Sequence, residues 1–418
     1  MTTAREVARR ALDRVDKDGA WATPALDGEL ARAGLDERDR RLAAELVYGV
    51  LRHRSRIDRA LGAHANLKKT PPKVVTALRV AAYQLLFLDR VPDHAAVNDA
   101  VVAARGAGGA KLGGFANAVL RNLIRGGEPA VPAEDLEISC SLPRWILDEL
   151  APMAGADLAA IAAALAQPAP MIARVNRLRT TVEALVAELA EAGITATPIE
   201  GVPMALRLDG AGDPARNGAF QAGRWTVQDA GAQRVALAAA PRPGQRILDA
   251  CAGVGGKSTH LAELIDDRGT IDAADLSKTK LALGAETAAR LGLTSVRPIA
   301  CDLLDPAAPL AETYDLIVLD APCSGLGVLR RHPDAKWRLK PTDVPRLADL
   351  QRKLLDAVVP RLAPGGTLVY SVCTFTRAEG PAQVAALTTR TDLQLVEEHR
   401  TWPPDADGFY LARLVRPG

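Results

Sequence analysis

Two short polar segments, each directly after a run of apolar residues, constrain the fold of this 418-residue chain most strongly. Residues 320–327 (DAPCSGLG) follow the apolar run 316–319, and residues 370–374 (YSVCT) follow the run 367–369. Short apolar runs rich in β-branched residues and bounded by Gly and Pro are typical of buried strands in a parallel sheet. In open α/β sheets, ligands bind outside the carboxyl ends of the strands. The pattern therefore predicts an α/β domain in which both segments line one rim of a sheet.

Each of the two segments brings one cysteine, Cys323 or Cys373, to this rim. Free cysteine is among the most buried residue types, so either thiol alone could be an ordinary core residue. Two cysteines at strand ends, with the carboxylate of Asp320 close by, favour nucleophilic chemistry. The pattern alone does not decide which of the two thiols is the nucleophile.

A glycine-rich turn follows a third predicted strand. Residues 249–257 (DACAGVGGK) lie between a predicted strand at 246–248 and a predicted helix at 258–264. Glycines let the backbone approach a ligand closely, and a helix N-terminus offers unpaired N–H groups to a carboxylate. The glycine spacing differs from the G-x-G-x-x-G of dinucleotide enzymes, which disfavours a nicotinamide dehydrogenase.

Acidic residues end the strands around this turn. Asp275 ends the next predicted strand, where a carboxylate can accept the two hydroxyls of a ribose. Asp302 ends the following strand and is placed to accept from an adenine amino group, and Asp320 ends the fourth. Carboxylates at successive strand ends favour a cationic, ribose-bearing ligand over a pyrophosphate. S-adenosylmethionine fits this description.

The N-terminal part of the chain is helical and basic. Residues 1–126 contain 22 Lys and Arg against 14 Asp and Glu, although the whole chain carries a net charge of only +2. Apolar residues at helical spacing predict an all-α module, with a Gly-rich loop at 106–114 before a last helix at 115–124. Such a charge favours a polyanionic partner such as nucleic acid. The alternative is that these cations only solvate helix faces.

Between the two ends lies a predicted connecting region. Residues 171–176, 181–192 and 204–208 form a βαβ-like run, which suggests a small α/β subdomain. Arg174 and Asn176 alternate onto one strand face, which suits contact with RNA or an ordinary solvated face. We therefore expect three domains, which are residues 1–126, 127–225 and 226–418.

Cysteine usage and hydropathy exclude several protein classes. Five cysteines without C-x-x-C spacing argue against a disulfide framework and against a zinc site. No apolar run approaches about 18 residues, and no signal-peptide pattern stands at the N-terminus. The sequence therefore predicts a cytoplasmic protein with reduced thiols, without a metal ion or a membrane partner.

These motifs together resemble a known family, the bacterial 16S rRNA cytosine-5 methyltransferases of the Sun (Fmu) group. Residues 249–257 are similar to its cofactor motif, and residues 320–325 with 328–337 are similar to a second, highly specific motif. Residues 370–374 with Glu379 resemble its nucleophile motif. The remaining similarities are residues 407–410, which resemble its C-terminal segment, and residues 45–52 and 83–97, which resemble the RNA-binding protein NusB.

The resemblance implies a fold and an activity. The expected fold is an all-α NusB-like N-terminal domain, a small α/β linker subdomain and a C-terminal Rossmann-like α/β methyltransferase domain. The expected reaction transfers a methyl group from S-adenosylmethionine to carbon 5 of a cytosine in 16S rRNA. The resemblance makes Cys373 the nucleophile that adds to carbon 6 and assigns product release to Cys323. Asp320 would hold the edge of the base, and Lys257 could lower the pKa of a nearby thiol or be a plain helix-start lysine.

The predicted binding residues form two sets. The expected cofactor contacts are Cys251, Ala252, Gly253, Val254, Gly255, Gly256, Lys257, Asp275, Lys280, Asp302 and Asp320. The expected RNA contacts are Arg174, Asn176, Arg330, Arg331, His332, Lys336 and Trp337, although Trp337 equally suits a core aromatic. We expect a monomer whose partner is small-subunit rRNA. A methyltransferase for tRNA or 23S rRNA and a non-catalytic RNA-binding assembly factor remain alternatives.

Overall fold

The computed structural model describes residues 2–418 and divides into two compact units. The first unit comprises Met1–Pro168 with Leu329–Leu339, and the second comprises Ala169–Val328 with Lys340–Gly418. The segment 329–339, which follows the first cysteine motif, therefore belongs to the first unit. The boundaries at 126 and 225 stay a prediction.

The first unit is helical around a single apolar core. Helix α5 is central because nearly all of its positions between Val74 and Gln84 are buried, as expected for a helix that is apolar on most of its faces. The helices are α1 (Ala4–Asp18), α2 (Ala22–Ala33), α3 (Glu37–Arg52), α4 (Arg54–Gly62), α5 (Pro72–Phe87), α6 (Asp93–Gly108), α7 (Ala110–Gly126), α8 (Leu136–Ser139), α9 (Arg144–Ala154), α10 (Leu158–Leu165) and α16 (Ala335–Arg338).

The Gly-rich loop predicted at residues 106–114 is wrong, because α6 and α7 occupy almost all of it. Only Gly109 interrupts the helices, with a φ of +84°. Gly113 instead allows close helix packing, since a Cβ there would lie 3.3 Å from the carbonyl oxygen of Val101 on α6. The sequence predicts turn residues at these glycines, whereas Gly113 provides a contact between α6 and α7.

The second unit contains a four-stranded sheet in the order β2-β3-β1-β4. Its strands are β1 (Met171–Val175), β2 (Thr195–Pro198), β3 (Ala205–Asp209) and β4 (Trp225–Val227), with helices α11 (Val182–Glu191) and α12 (Gly218–Gln221). All its pairings are antiparallel. The predicted small α/β subdomain is confirmed, and β1, α11 and β3 correspond to its three predicted elements. Only the partner of β1 in the βαβ-like run differs: the unpredicted strand β2 follows α11, and β3 then reverses the chain and pairs between β2 and β1.

A seven-stranded sheet forms the rest of this unit, in the order β10-β11-β9-β8-β5-β6-β7. Its strands are β5 (Arg246–Ala250), β6 (Thr270–Asp275), β7 (Val296–Ala300), β8 (Tyr314–Asp320), β9 (Leu362–Val372), β10 (Gln394–Thr401) and β11 (Phe409–Val415). The accompanying helices are α13 (Ala230–Ala239), α14 (Gly256–Leu264), α15 (Lys278–Leu291), α17 (Asp343–Val358) and α18 (Pro381–Arg390).

The strands from β5 to β9 pair in parallel, and β11 runs antiparallel to β9. The carboxyl ends of β5, β6, β8 and β9 consequently meet at one edge, as the Rossmann-like prediction requires. Within residues 2–418, no helix is long and apolar enough to span a bilayer.

Candidate active site

The two predicted cysteines meet at the carboxyl edge of the seven-stranded sheet. Cys373 directly follows β9 and Cys323 lies three residues after β8, and these strands are neighbours. The two Sγ atoms are 3.3 Å apart, and both cysteines are free thiols. The hydrogen bond to Cys373, together with burial, raises the pKa of Cys323 well above its ordinary value. Cys323 therefore keeps its proton and is suited to donate it toward the sulfur of Cys373.

A lysine–aspartate pair lies at the same edge. Lys257 Nζ is 2.5 Å from Asp320 Oδ2, and the hydroxyl of Ser371 donates to Asp320 Oδ1 at 2.9 Å. Burial alone would lower the pKa of Lys257, but the charge and hydrogen bond of Asp320 outweigh it, and Cys373 adds to the same effect. The pKa of Lys257 is thus raised, and the site holds a buried ammonium group near the thiols.

Beneath the first cysteine, Glu379 accepts hydrogen bonds from several groups although it is completely buried. Its Oε1 accepts from the Ser324 backbone N–H at 2.8 Å and from Gln351 Nε2 at 3.1 Å. Its Oε2 accepts from the hydroxyls of Ser324 at 2.5 Å and Thr376 at 2.9 Å. These bonds fix the turn that presents Cys323. Sequence reasoning named Glu379 only as part of a motif and missed Gln351, which no local pattern indicates.

Close approach of two glycines holds this turn from the other side. The Gly327 N–H donates to the carbonyl of Cys373 at 3.0 Å, and the Gly408 N–H donates to the carbonyl of Gly327 at 2.9 Å. A Cβ on Gly327 would lie 1.8 Å from the Gly408 carbonyl oxygen. Neither backbone can therefore carry a side chain at this crossing.

The glycine-rich turn after β5 has the shape of a ligand cradle. Cys251, Gly253 and Gly255 all have left-handed backbone angles, with φ values of 65°, 58° and 75°. A Cβ on Gly253 would meet nothing within 4 Å, whereas one on Gly255 would lie 3.1 Å from Gly284 Cα. The turn is therefore open at Gly253 and packed against α15 at Gly255. In the same turn, Ala252 and Gly256 are half-buried and Val254 is exposed.

The acidic strand ends lie around this turn. Asp275 Oδ2 accepts from the Gly253 N–H at 2.9 Å, and its Oδ1 accepts from the Ser277 N–H at 2.8 Å. Asp302 is exposed and accepts from the Leu304 N–H at 2.9 Å, so it also shapes its own turn. Lys280 is exposed in the first turn of α15.

Asp249 forms the floor of the cradle and is fully buried. Its Oδ2 accepts from the Ser258 hydroxyl at 2.5 Å. Burial raises the pKa of Asp249 to about 6, because the charged form loses its hydration. No cluster of three or more His, Cys, Asp or Glu side chains suited to a metal ion occurs within residues 2–418.

Two predicted RNA contacts are instead interior residues of the second unit, so those predictions are wrong. Arg174 is fully buried, and its guanidinium bonds to both carboxylate oxygens of Glu263, at 2.7 and 3.1 Å. Asn176 is also fully buried and donates to the carbonyls of Gly223 and Leu291. These bonds connect the end of the four-stranded sheet to helices α14 and α15. Both side chains are fully buried, so neither is accessible to RNA.

The predicted contacts on the segment 329–339 also differ from expectation. Lys336 is only 2% exposed and donates to the Arg52 carbonyl at 2.9 Å, and the indole N–H of Trp337 donates to the Leu51 carbonyl at 2.7 Å. RNA contacts are therefore wrong for Lys336 and for Arg330, which is 3% exposed, and the core interpretation fits Trp337. Arg331 is half-buried and His332 is exposed, and their contacts with RNA stay a prediction.

Comparison with known proteins agrees with this architecture. The family model "16S rRNA methyltransferase RsmB/F" matches residues 236–415, the NusB family model matches 2–125, and the ferredoxin-like domain of RsmF/B-like methyltransferases matches 142–214. The "Probable ribosomal RNA small subunit methyltransferase B" of Synechocystis is 38% identical over 96% of this chain and 91% of its own.

Solved structures share the fold. The crystal structure of PH0851 covers 99% of this chain and 97% of its own, with a TM-score of 0.82 and 24% identity. NSun6 from Pyrococcus horikoshii, solved with SFG, covers 66% of this chain and 98% of its own, with a TM-score of 0.60 and 22% identity. The 38% identity with the Synechocystis relative extends over nearly the full length of the chain, and the three domain models match in the same order. This chain therefore belongs to the 16S rRNA methyltransferase RsmB/F family.

Proposed function

We propose that this protein transfers a methyl group from S-adenosylmethionine to carbon 5 of a cytosine in 16S rRNA, through a covalent adduct with Cys373. The observation that supports the proposal most directly is the 3.3 Å separation of the Cys323 and Cys373 sulfurs beside the Lys257–Asp320 pair. Small-subunit rRNA is chosen because the Synechocystis relative is named for it.

The glycine-rich turn and the acidic strand ends suit the methyl donor. The open face at Gly253 can take the amino acid part against backbone N–H groups, and Asp275 has lone pairs left for ribose hydroxyls. The exposed Asp302 can accept from an adenine amino group, and the exposed charge of Lys280 lies at the edge of the cradle. When bound, S-adenosylmethionine supplies an electrophilic methyl group to the activated base.

Addition of Cys373 overcomes the low nucleophilicity of carbon 5. The Cys373 thiolate forms a bond to carbon 6, and the electron pair of the 5,6-double bond is released toward carbon 5. Lys257 stabilises the thiolate by its charge, and Cys323 donates a hydrogen bond to it. Asp320, held by Lys257 and Ser371, accepts from the amino edge of the base as charge develops in the ring.

Release of the product returns both thiols to their first state. Once carbon 5 carries the methyl group, the sulfur of Cys373 is a neutral thioether and its charge and hydrogen bond no longer raise the pKa of Cys323. Cys323 can then release its proton to water and accept the proton of carbon 5. The electrons of that C–H bond restore the double bond, and the bond between carbon 6 and sulfur breaks to regenerate the Cys373 thiolate. Burial still keeps the pKa of Cys323 above its ordinary value at this stage, so its thiolate is a strong base for the step.

The test compares Cys373→Ala and Cys323→Ala, with Cys301→Ala as the control. Cys373→Ala should abolish both labelled-methyl transfer to stripped 16S rRNA and covalent adducts on denaturing gels. Cys323→Ala should accumulate an enzyme–RNA adduct because release is blocked, while Cys301→Ala should behave as the wild type. Methylation by Cys373→Ala but not by Cys323→Ala would reverse the assignment.

The choice of RNA needs its own experiment. Labelled-methyl transfer to separated 16S rRNA, 23S rRNA and tRNA fractions from cells lacking the gene should show incorporation in the 16S fraction, with 5-methylcytosine in its digest. Incorporation only into 23S rRNA or tRNA would identify that RNA as the substrate in place of 16S rRNA. No incorporation into any fraction would favour a non-catalytic assembly factor.

A further inference from the structure

One face of α7 carries a line of cations that the catalytic proposal does not use. Lys111, Gly114, Ala118, Arg121 and Arg125 follow at spacings of three, four, three and four residues, and all five are exposed. Residues at these spacings lie on one face of a helix. We call this face the α7 stripe, and its three charges are separated only by a glycine and an alanine.

The α7 stripe has no carboxylate to neutralise it. No Asp or Glu occurs between residues 100 and 126, and the acidic residues just outside this range are already paired, Asp99 with Arg9 and Glu128 with Arg56. In the described residues, the stripe cations have no ion-pair partner, and Arg125 bonds only to the amide of Asn122. Like charges at i, i+4, such as Arg121 and Arg125, destabilise an isolated helix. The arrangement therefore works against helix stability.

Elsewhere in the first unit, cations are neutralised locally. The arginines with a carboxylate partner in this unit include Arg9, Arg10, Arg14, Arg32, Arg41, Arg54, Arg56 and Arg79. Many of the acidic residues of this basic module thus form ion pairs with arginines outside α7. The α7 stripe is consequently a surface of uncompensated positive charge.

A fourth cation joins the stripe through helix packing. Gly113 precedes Gly114 and faces α6, where a Cβ would lie 3.3 Å from Arg105 Cβ and 3.5 Å from Arg105 Nε. The missing side chain lets Arg105 lie directly against α7. Arg105 is itself exposed and has no carboxylate partner among the described residues.

We infer that the α7 stripe with Arg105 binds the phosphate backbone of the RNA substrate. Cations without partners can be neutralised by phosphates without breaking ion pairs in the protein, and Gly114 and Ala118 leave room for a backbone to lie close. The stripe exposes no aromatic residue for stacking, so the contacts position the RNA and do not read its bases. The inference rests on the proposed function for the identity of the RNA.

A single carboxylate placed within the stripe tests the inference. Ala118→Glu adds a negative charge between Arg121 and Gly114, at an exposed helical position that tolerates Glu. Ala31→Glu is the matched control, because Ala31 is an exposed residue of α2 in the same unit. Ala118→Glu should weaken binding of a 16S rRNA fragment about 10-fold at roughly 0.1 M salt, and Ala31→Glu should have little effect on that binding.

Salt dependence separates phosphate contacts from a general loss of charge. The triple variant Lys111→Gln, Arg121→Gln, Arg125→Gln should reduce the slope of log Kd against log salt by roughly 2 to 3, or about 0.7 to 0.9 for each lost contact. The control triple, Arg10→Gln, Arg32→Gln, Arg41→Gln, removes the same charge from exposed arginines that have carboxylate partners. Its slope should stay close to that of the wild type.

Three outcomes overturn the inference. Equal slopes for the two triple variants would show a non-specific charge effect, and an unchanged slope for the α7 triple would show that the stripe does not contact RNA. Loss of binding to a ribosomal particle without loss on naked RNA would indicate a protein partner instead. These affinities are measured by filter binding, which does not depend on methyl transfer. A wild-type chain that binds RNA through the stripe without methylating it would therefore refute only the proposed function.

Discussion

Among single residues, Glu379 combines complete burial with hydrogen bonds from four donors, none of them a cation. A buried carboxylate is expensive unless such bonds satisfy it. Two of the donors belong to Ser324, the residue next to Cys323. We therefore propose that Glu379 is a positioning residue for Cys323, the thiol to which the proposed function assigns product release.

Glu379→Gln keeps the shape of the side chain but replaces one acceptor by an N–H donor that faces other donors. We expect kcat to fall about 10- to 100-fold with little change in KM, and the covalent RNA adduct to persist, because release depends on Cys323. Exposed Glu286→Gln is the control. A fall in activity that only parallels a lower Tm, with no adduct retained, would make Glu379 merely structural.

Asp249 should make stability depend on pH. Its pKa of about 6 in the folded protein lies above the ordinary 3.8, so the folded state prefers the protonated form. The resulting stability is fully present below pH 4 and is lost as the pH rises through 6. Asp249→Asn should remove this dependence. Relative to the wild type, it should gain up to about 3 kcal/mol between pH 4 and pH 8, as measured by urea unfolding.

Asp349→Asn is the control for that measurement, because it makes the same substitution at an exposed position outside the core. Parallel stability curves for the wild type and Asp249→Asn would contradict the predicted role of burial.

At the scale of elements, the segment 329–339 completes two helices of the first unit. Asp334 Oδ2 accepts from the Ala22 N–H at 2.9 Å, at the N-terminus of α2, where no side chain of α2 provides a cap. Lys336 and Trp337 donate to the last carbonyls of α3. The carboxylate of Asp334 matches the positive end of the α2 dipole. Burial and the charge of Arg52 lower the pKa of Lys336 to about 7, so Lys336 contributes chiefly its hydrogen bond to the end of α3. The polar groups of this segment therefore satisfy the ends of both helices.

Trp337→Phe should destabilise the first unit by about 1 to 2 kcal/mol, because the Leu51 carbonyl loses its donor while the ring keeps most of its packing. Urea unfolding provides the measurement. Exposed Lys340→Met, just beyond the segment, should leave stability within about 0.5 kcal/mol of the wild type. Equal stability of Trp337→Phe and the wild type would show that the indole bond contributes nothing.

At the scale of the whole molecule, the sequence predicts most reliably what depends on local periodicity. Apolar runs ending in Asp275, Asp320 and Cys373 have one compatible arrangement, a parallel sheet with these residues on one edge. Features that depend on distant partners left no local signal. Arg174 looked like a surface cation because Glu263, 89 positions away, cannot be recognised from the strand pattern.

Glycine and charge were the ambiguous signals. A glycine such as Gly113 is equally compatible with a turn and with a close contact between helices. Only the packing against α6 shows that Gly113 belongs to the second class. Likewise, Lys336 and Trp337 are equally typical of an RNA surface and of a buried cap. The convergence of Cys323 and Cys373 at one edge of the sheet was therefore predictable, whereas the burial of Arg174, Asn176 and Lys336 was not.

The crossing of Gly327 and Gly408 also sets an order of events during synthesis. The turn that carries Cys323 includes Gly327, whose carbonyl accepts a hydrogen bond from Gly408, a residue translated 81 positions later. A nascent chain that ends before Gly408 lacks this hydrogen bond. The backbone around the two thiols can therefore be completed only after this late segment has left the ribosome.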